Sequence, residues 1–101
     1  MRMDTLAILA LVEAKPGKEQ EVEAFLKSAQ PLAVAEPGTT TWYAVKLGAG
    51  KFGIFDTFPN QDARNAHLGG EIAKALFAKA GELLAKPPQI EMLEILASKA
   101  P

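Results

Sequence analysis

The run Leu6-Ala7-Ile8-Leu9-Ala10-Leu11-Val12 is apolar at every position, and it constrains the fold more than any other feature. A strand with water on one side alternates apolar and polar residues, whereas an unbroken apolar run needs cover on both faces. The run is far too short to span a bilayer, which takes ~20 residues. It is also short for a signal-peptide core. Asp4 offsets Arg2 ahead of it, and Glu13-Ala14-Lys15 behind it is a poor cleavage site. It reads as a buried strand.

Pro16-Gly17 marks a turn, with proline placed where a helix start would leave its missing N–H unpartnered anyway. Val22, Phe25, Leu26 and Ala29 then recur at helical spacing. Glu19, Glu21, Glu23 and Lys27 lie opposite as a solvated face. Pro31 removes a helical hydrogen bond, so the helix is expected to stop or kink near Gln30. Leu32 to Ala35 read as a second short turn, closed by Glu36-Pro37-Gly38.

Thr39 to Leu47 is rich in β-branched and aromatic residues and reads as a strand. Gly48-Ala49-Gly50 connects it to a partner over Lys51 to Phe58, completing a hairpin. Alternation puts Phe52, Ile54, Asp56 and Phe58 on one face of this partner and Gly53, Phe55 and Thr57 on the other. Asn60 is the expected cap of a following helix, with Asp62 near its positive end. Gly69-Gly70 interrupts that helix after one or two turns. Ile72, Leu76, Ala80, Leu83 and Leu84 predict an amphipathic helix running to Pro87-Pro88, and Gln89 to Ala97 a last strand.

The order is β-α-β-β-α-β in 101 residues, enough for one domain spanning 1–101. A folded surface of ~5,500 Å² against ~15,700 Å² unfolded leaves about two thirds buried. Hydrophobic residues at 49% and charged residues at 23% exclude a disordered or fibrous chain. Eleven basic against twelve acidic residues supply no basic field for nucleic acid. Without cysteine there is no disulfide framework, thiolate nucleophile or cysteine zinc site. A single histidine also removes the multi-histidine metal sites, so no metal is expected. These features point to a cytoplasmic protein.

Right-handed crossovers make the ferredoxin-like split βαβ the simplest α+β solution: a four-stranded antiparallel sheet with both helices on one face. Two helices leave the other face bare, yet the first, third and last strands are apolar on both. A patch that large exceeds what a monomer tolerates. The expected remedy is a second copy packing sheet to sheet as a two-fold homodimer.

Several segments then show a family likeness. Val12-Glu13-Ala14-Lys15-Pro16-Gly17-Lys18-Glu19 resembles the strand-to-helix entry of the antibiotic biosynthesis monooxygenase family. Glu36-Pro37-Gly38-Thr39 followed by Trp42-Tyr43 is similar to its entry to the second strand. Phe58 followed by Ala66-His67-Leu68 resembles its aromatic residue, short helix and His-Leu pair. The resemblance spans about residues 5–98 and implies a dimeric α+β barrel. Its branches include cofactor-independent monooxygenases of polyphenols or hydroquinones, heme-degrading enzymes and quorum-signal processing proteins. The heme-degrading branch has an axial histidine and a first-strand asparagine. The matching positions here hold Phe77 and, near the strand centre, Ala7, so heme is disfavoured and no cofactor is expected.

A cofactor-free oxygenase needs a proton acceptor, a donor or cation for the substrate anion, and aromatic walls that exclude water. His67 is the side chain whose ordinary pKa suits a base at neutral pH; its plainer role is packing or capping the short helix. Arg64, three residues earlier on the same helical face, is a candidate for anion stabilisation or a surface arginine. One of Trp42 and Tyr43 faces the helices and can stack on a flat substrate. Phe55, Phe58 and Phe77 are candidate pocket walls or core. Asp56 shares a face with Ile54 and Phe58, where a charge needs a partner or a raised pKa; the plainer reading is a solvated strand end.

Three functions remain: a homodimeric monooxygenase for a flat aromatic or quinol, a non-catalytic binder of a hydrophobic metabolite, or a structural, stress-related dimer whose pocket is filled by Phe55, Phe77 or Leu76.

Overall fold

Strand β1 (Leu6–Glu13) takes an inner position in the sheet because its residues on both faces are apolar. The chain continues through α1 (Glu19–Val34), β2 (Thr41–Gly48), β3 (Lys51–Phe58), α2 (Gln61–Leu68), α3 (Glu71–Leu83) and β4 (Gln89–Glu94). The computed structural model describes residues 4–100; Arg2 lies outside them. The four strands run antiparallel in the order β2-β3-β1-β4. This is the ferredoxin-like α+β arrangement, its second helical segment divided into α2 and α3 at Gly69-Gly70.

Register sorts the faces. Ile8 lies opposite Asp56, Ala10 opposite Ile54 and Val12 opposite Phe52. These side chains turn toward the helices and are buried. Val22 and Leu26 of α1, with Leu76 and Leu83 of α3, close over them. Leu9, Leu11, Phe55 and Leu93 occupy the other face and are half-buried. Beside them Tyr43, Val45 and Leu47 on β2 are exposed, so the expected bare apolar face is present. Gly53 belongs to it: a Cβ there would meet Leu47 Cδ1 at 3.3 Å and Val45 Cγ2 at 3.4 Å.

Three local expectations are corrected. Helix α1 does not stop near Gln30 but continues through Pro31 to Val34. One lost backbone bond is outweighed because Ala29 and Ala33, on either side, pack against Ile72 and Trp42. Helix α3 stops at Leu83, well before Pro87-Pro88. There Leu84 turns extended and bridges Ala14, while the Ala85 N–H donates to Glu13 O at 2.8 Å. Strand β4 ends at Glu94, so Ala97 lies beyond it.

Candidate functional site

Helix α2 is capped as its sequence predicts, with the Asn60 side chain accepting from the Ala63 N–H at 2.9 Å. Two turns bring Arg64 and His67 onto one buried face. Arg64 Nη1 donates to Ala7 O and Leu93 O, both at 3.2 Å, and Nη2 donates to Gln61 Oε1 at 3.0 Å. Arg64 therefore fastens α2 to β1 and β4 and is not a surface arginine.

His67 lies between two carboxylates. Its Nδ1 is 2.6 Å from Glu36 Oε1 and its Nε2 is 2.9 Å from Asp56 Oδ2. A carboxylate oxygen only accepts, so Nδ1 donates to Glu36, and a second carboxylate beside Nε2 favours the protonated ring. Burial works against that charge, but the Asp56 carboxylate, followed by that of Glu36, outweighs it and pushes the His67 pKa up to about 9. The histidine is thus held toward its charged form with a carboxylate at each ring nitrogen, in place of the neutral base expected from its ordinary pKa.

Asp56 is 1% exposed, which corrects the solvated strand end. Its Oδ2 approaches His67 Nε2 as an ion pair. Both its oxygens are buried without a hydrogen-bond partner, as is Trp42 Nε1 on the cross-strand neighbour. Glu36 stands in the loop after α1. Its Oε1 accepts from Thr39 Oγ1 at 2.7 Å as well as from His67. Two glycines permit this packing by what they lack. A Cβ on Gly38 would fall 2.9 Å from Ala63 Cβ, and one on Gly70 would fall 3.0 Å from Glu36 Oε2.

Beside this chain of charges lies a cleft of about 370 Å³, within the range of small-molecule sites. Leu32, Ala35, Pro37, Ala63 and Ala66 give it an apolar lining. Glu36, Thr39, His67 and Glu71 supply its polar groups.

Of the residues singled out above for ligand contact, His67 alone borders this cleft. Trp42 is the aromatic that faces the helices; it lines a separate groove of about 220 Å³. Tyr43 lies on the bare sheet face, 57% exposed, and Phe55 shares that face, opposite Leu9. Phe77 is 55% exposed on α3. Phe58 is fully buried beneath His67, the ring centroids 5.3 Å apart. The space between helices and sheet, where these aromatics were to form a pocket, is filled by Leu26, Phe52, Ile54 and Leu76.

Sequence reasoning did not name Glu36 as a site residue, and it left Asp56 between a partnered charge and a solvated strand end. The signal for Asp56 was its place in the apolar row of β3. Glu36 gave only its place in the Glu36-Pro37-Gly38-Thr39 likeness, because its partner is 31 residues away.

Sheet order, helix placement and the buried carboxylate–imidazolium–carboxylate chain define a ferredoxin-like α+β domain with one charged seam under its second helical segment. A Nitrosomonas europaea protein of unknown function is similar to this chain at 51% identity, over 100% of this chain and 98% of its own, with a TM-score of 0.96. At that identity and coverage the two chains belong to one family, and the fold is the one seen in structures named for antibiotic biosynthesis monooxygenases. A Caulobacter crescentus structure provisionally named as an antibiotic biosynthesis monooxygenase is 24% identical, over 95% of this chain and 93% of its own, with a TM-score of 0.77. A Mycobacterium tuberculosis protein is 22% identical over 94% and 98%, with a TM-score of 0.82. At those identities the likeness is one of fold. No family model matches the chain, and no curated protein does. No helix among the described residues is long and apolar enough to cross a membrane.

Proposed function

We propose that this protein is a homodimeric monooxygenase that takes a small phenol or quinol into the Glu36–His67 cleft and oxygenates it with O₂ without a bound cofactor. The observation that carries the reading is the junction of an apolar cleft with the Glu36–His67–Asp56 chain. The neighbour named as a monooxygenase supports it by fold.

The roles follow from the charges. The substrate hydroxyl gives its proton to Glu36, whose negative charge is thereby moved onto the ring beside the His67 cation. The apolar lining excludes water from that anion. The electron-rich ring then reduces O₂: phenol plus O₂ gives quinone plus water, one oxygen atom entering the ring as C=O. Both hydrogens leave in the water.

The homodimer is supported by the bare sheet face and by total surface. The accessible area of 6423 Å² exceeds the ~5,500 Å² of a compact monomer of this mass. The excess is of the order of the ~800 Å² that each partner gives up in a standard interface.

One observation favours a second reading, a ligand-binding module without turnover: both nitrogens of the single histidine are engaged and no neutral base faces the cleft. O₂ uptake by the purified protein over a panel of hydroquinones and polyphenols separates the two, with ¹⁸O₂ to follow the oxygen. Uptake with one labelled atom in the product, lost in Glu36→Gln, supports the oxygenase. Saturable binding without uptake supports the module.

A further inference from the structure

The cleft's hydrogen-bonding inventory is one-sided. Both His67 ring nitrogens lie against carboxylates, and the Thr39 hydroxyl donates to Glu36 Oε1. What remains unengaged is an acceptor, Glu36 Oε2, which has no protein hydrogen-bond partner among the described residues and is not sealed off from solvent. Glu71, also bordering the cleft, is a second carboxylate. An anion gains little from the N-terminus of α3 either. Glu36 Oε2 lies beside Gly70, the residue preceding that helix, and Glu71 is in its first turn, so two carboxylates already answer the positive end of the helix dipole.

Accepting that this cleft is the aromatic site, we propose that it selects neutral ligands that donate a hydrogen bond, seating a phenolic hydroxyl on Glu36 Oε2, and turns away aromatic carboxylates. A phenolic O–H gives the free lone pairs a charge-assisted partner. The corresponding ether fills the same apolar space and leaves the carboxylate desolvated without a donor. An aromatic carboxylate brings a third negative charge near Glu36 and Glu71 and meets no free side-chain donor. Gly70 is part of the selection, because a methyl group at that position would press on the accepting oxygen at 3.0 Å.

Three probes share one ring and differ only in their groups: hydroquinone, 1,4-dimethoxybenzene and terephthalate. Binding is read under ascorbate, without O₂, from the NMR shifts of His67 and Ala66. The expected order is hydroquinone tighter than the dimethyl ether by about tenfold or more, with terephthalate weakest. In Glu36→Gln and in Gly70→Ala the first ratio falls to within about threefold. NMR of each variant reports its fold, and Gly70→Ala keeps the test valid should Glu36→Gln unfold. Equal or tighter binding of the ether or of terephthalate overturns the proposal, as do shifts confined to residues outside the cleft. Oxygen consumption is a separate readout. Hydroquinone selectivity without uptake keeps this inference and removes the oxygenase; uptake with terephthalate preferred does the reverse.

Discussion

Replacing His67 with glutamine removes the one imidazole of the chain and with it a pH dependence that can be worked out beforehand. The folded protein raises the His67 pKa from 6.5 to about 9, so folding favours the charged ring. Its contribution is fully present below pH 6.5 and is lost as the pH rises through 9. At ~1.4 kcal/mol per pH unit the ceiling is roughly 3–4 kcal/mol; with some solvent screening of the ring, about 2–3 kcal/mol is expected. The assay is urea unfolding of the wild type and His67→Gln from below pH 6.5 to above 9, taking the difference so that lysines and other common groups cancel. The wild type should lose that margin over the window while the variant's curve stays comparatively flat. The variant should also be less stable at neutral pH, because Asp56 is left buried without its counter-ion. A parallel pair of curves, or an NMR titration placing the single imidazole near 6.5, would refute the imidazolium assignment.

Arg64→Met should cost about 2–3 kcal/mol in urea melts by leaving the Ala7 and Leu93 carbonyls without their charged donor. The same variant should bind hydroquinone as the wild type does; a lost affinity would return Arg64 to the ligand site. Gly38→Ala should destabilise by about 1–3 kcal/mol, measured by thermal melting, because its methyl group would meet Ala63 Cβ at 2.9 Å. Val45→Glu changes a residue that is 46% exposed in the single chain. It should therefore halve the mass seen by light scattering while leaving the circular dichroism spectrum unchanged; a mass that does not change would contradict the sheet-to-sheet dimer.

Much of the frame was legible because it rests on local rules. The doubly apolar β1, the alternation of β3 and the Asn60 cap each follow from a side chain and its immediate neighbours. Pro31 misled for a tertiary reason: a helix missing one bond persists when Ala29 and Ala33 are clamped from both sides. The site was legible only in fragments. Glu36 and His67 each stood in a segment that resembled the family, but nothing local says that they touch. Asp56 was placed correctly in the inward row of β3, and only the choice between water and a partner went astray. The burial of Ile54 and Phe58 on either side decides it. Trp42 and Tyr43 were equivalent in sequence, and the pairing of Trp42 with Asp56 fixed which of them turns inward.

Helix α2 is fixed to the domain by an unusual kind of attachment. The side chains it buries are Arg64 and His67, so charge and directed polar contacts do the fastening that grease does for α1 and α3. Detaching such a segment wets few hydrocarbon groups of its own, with the Phe58 ring beneath it as the main addition. Its opening equilibrium should therefore respond weakly to urea and steeply to alkali, which discharges His67. Amide exchange along Gln61–Leu68 would then quicken in conditions where the rest of the molecule still reports a fully native state.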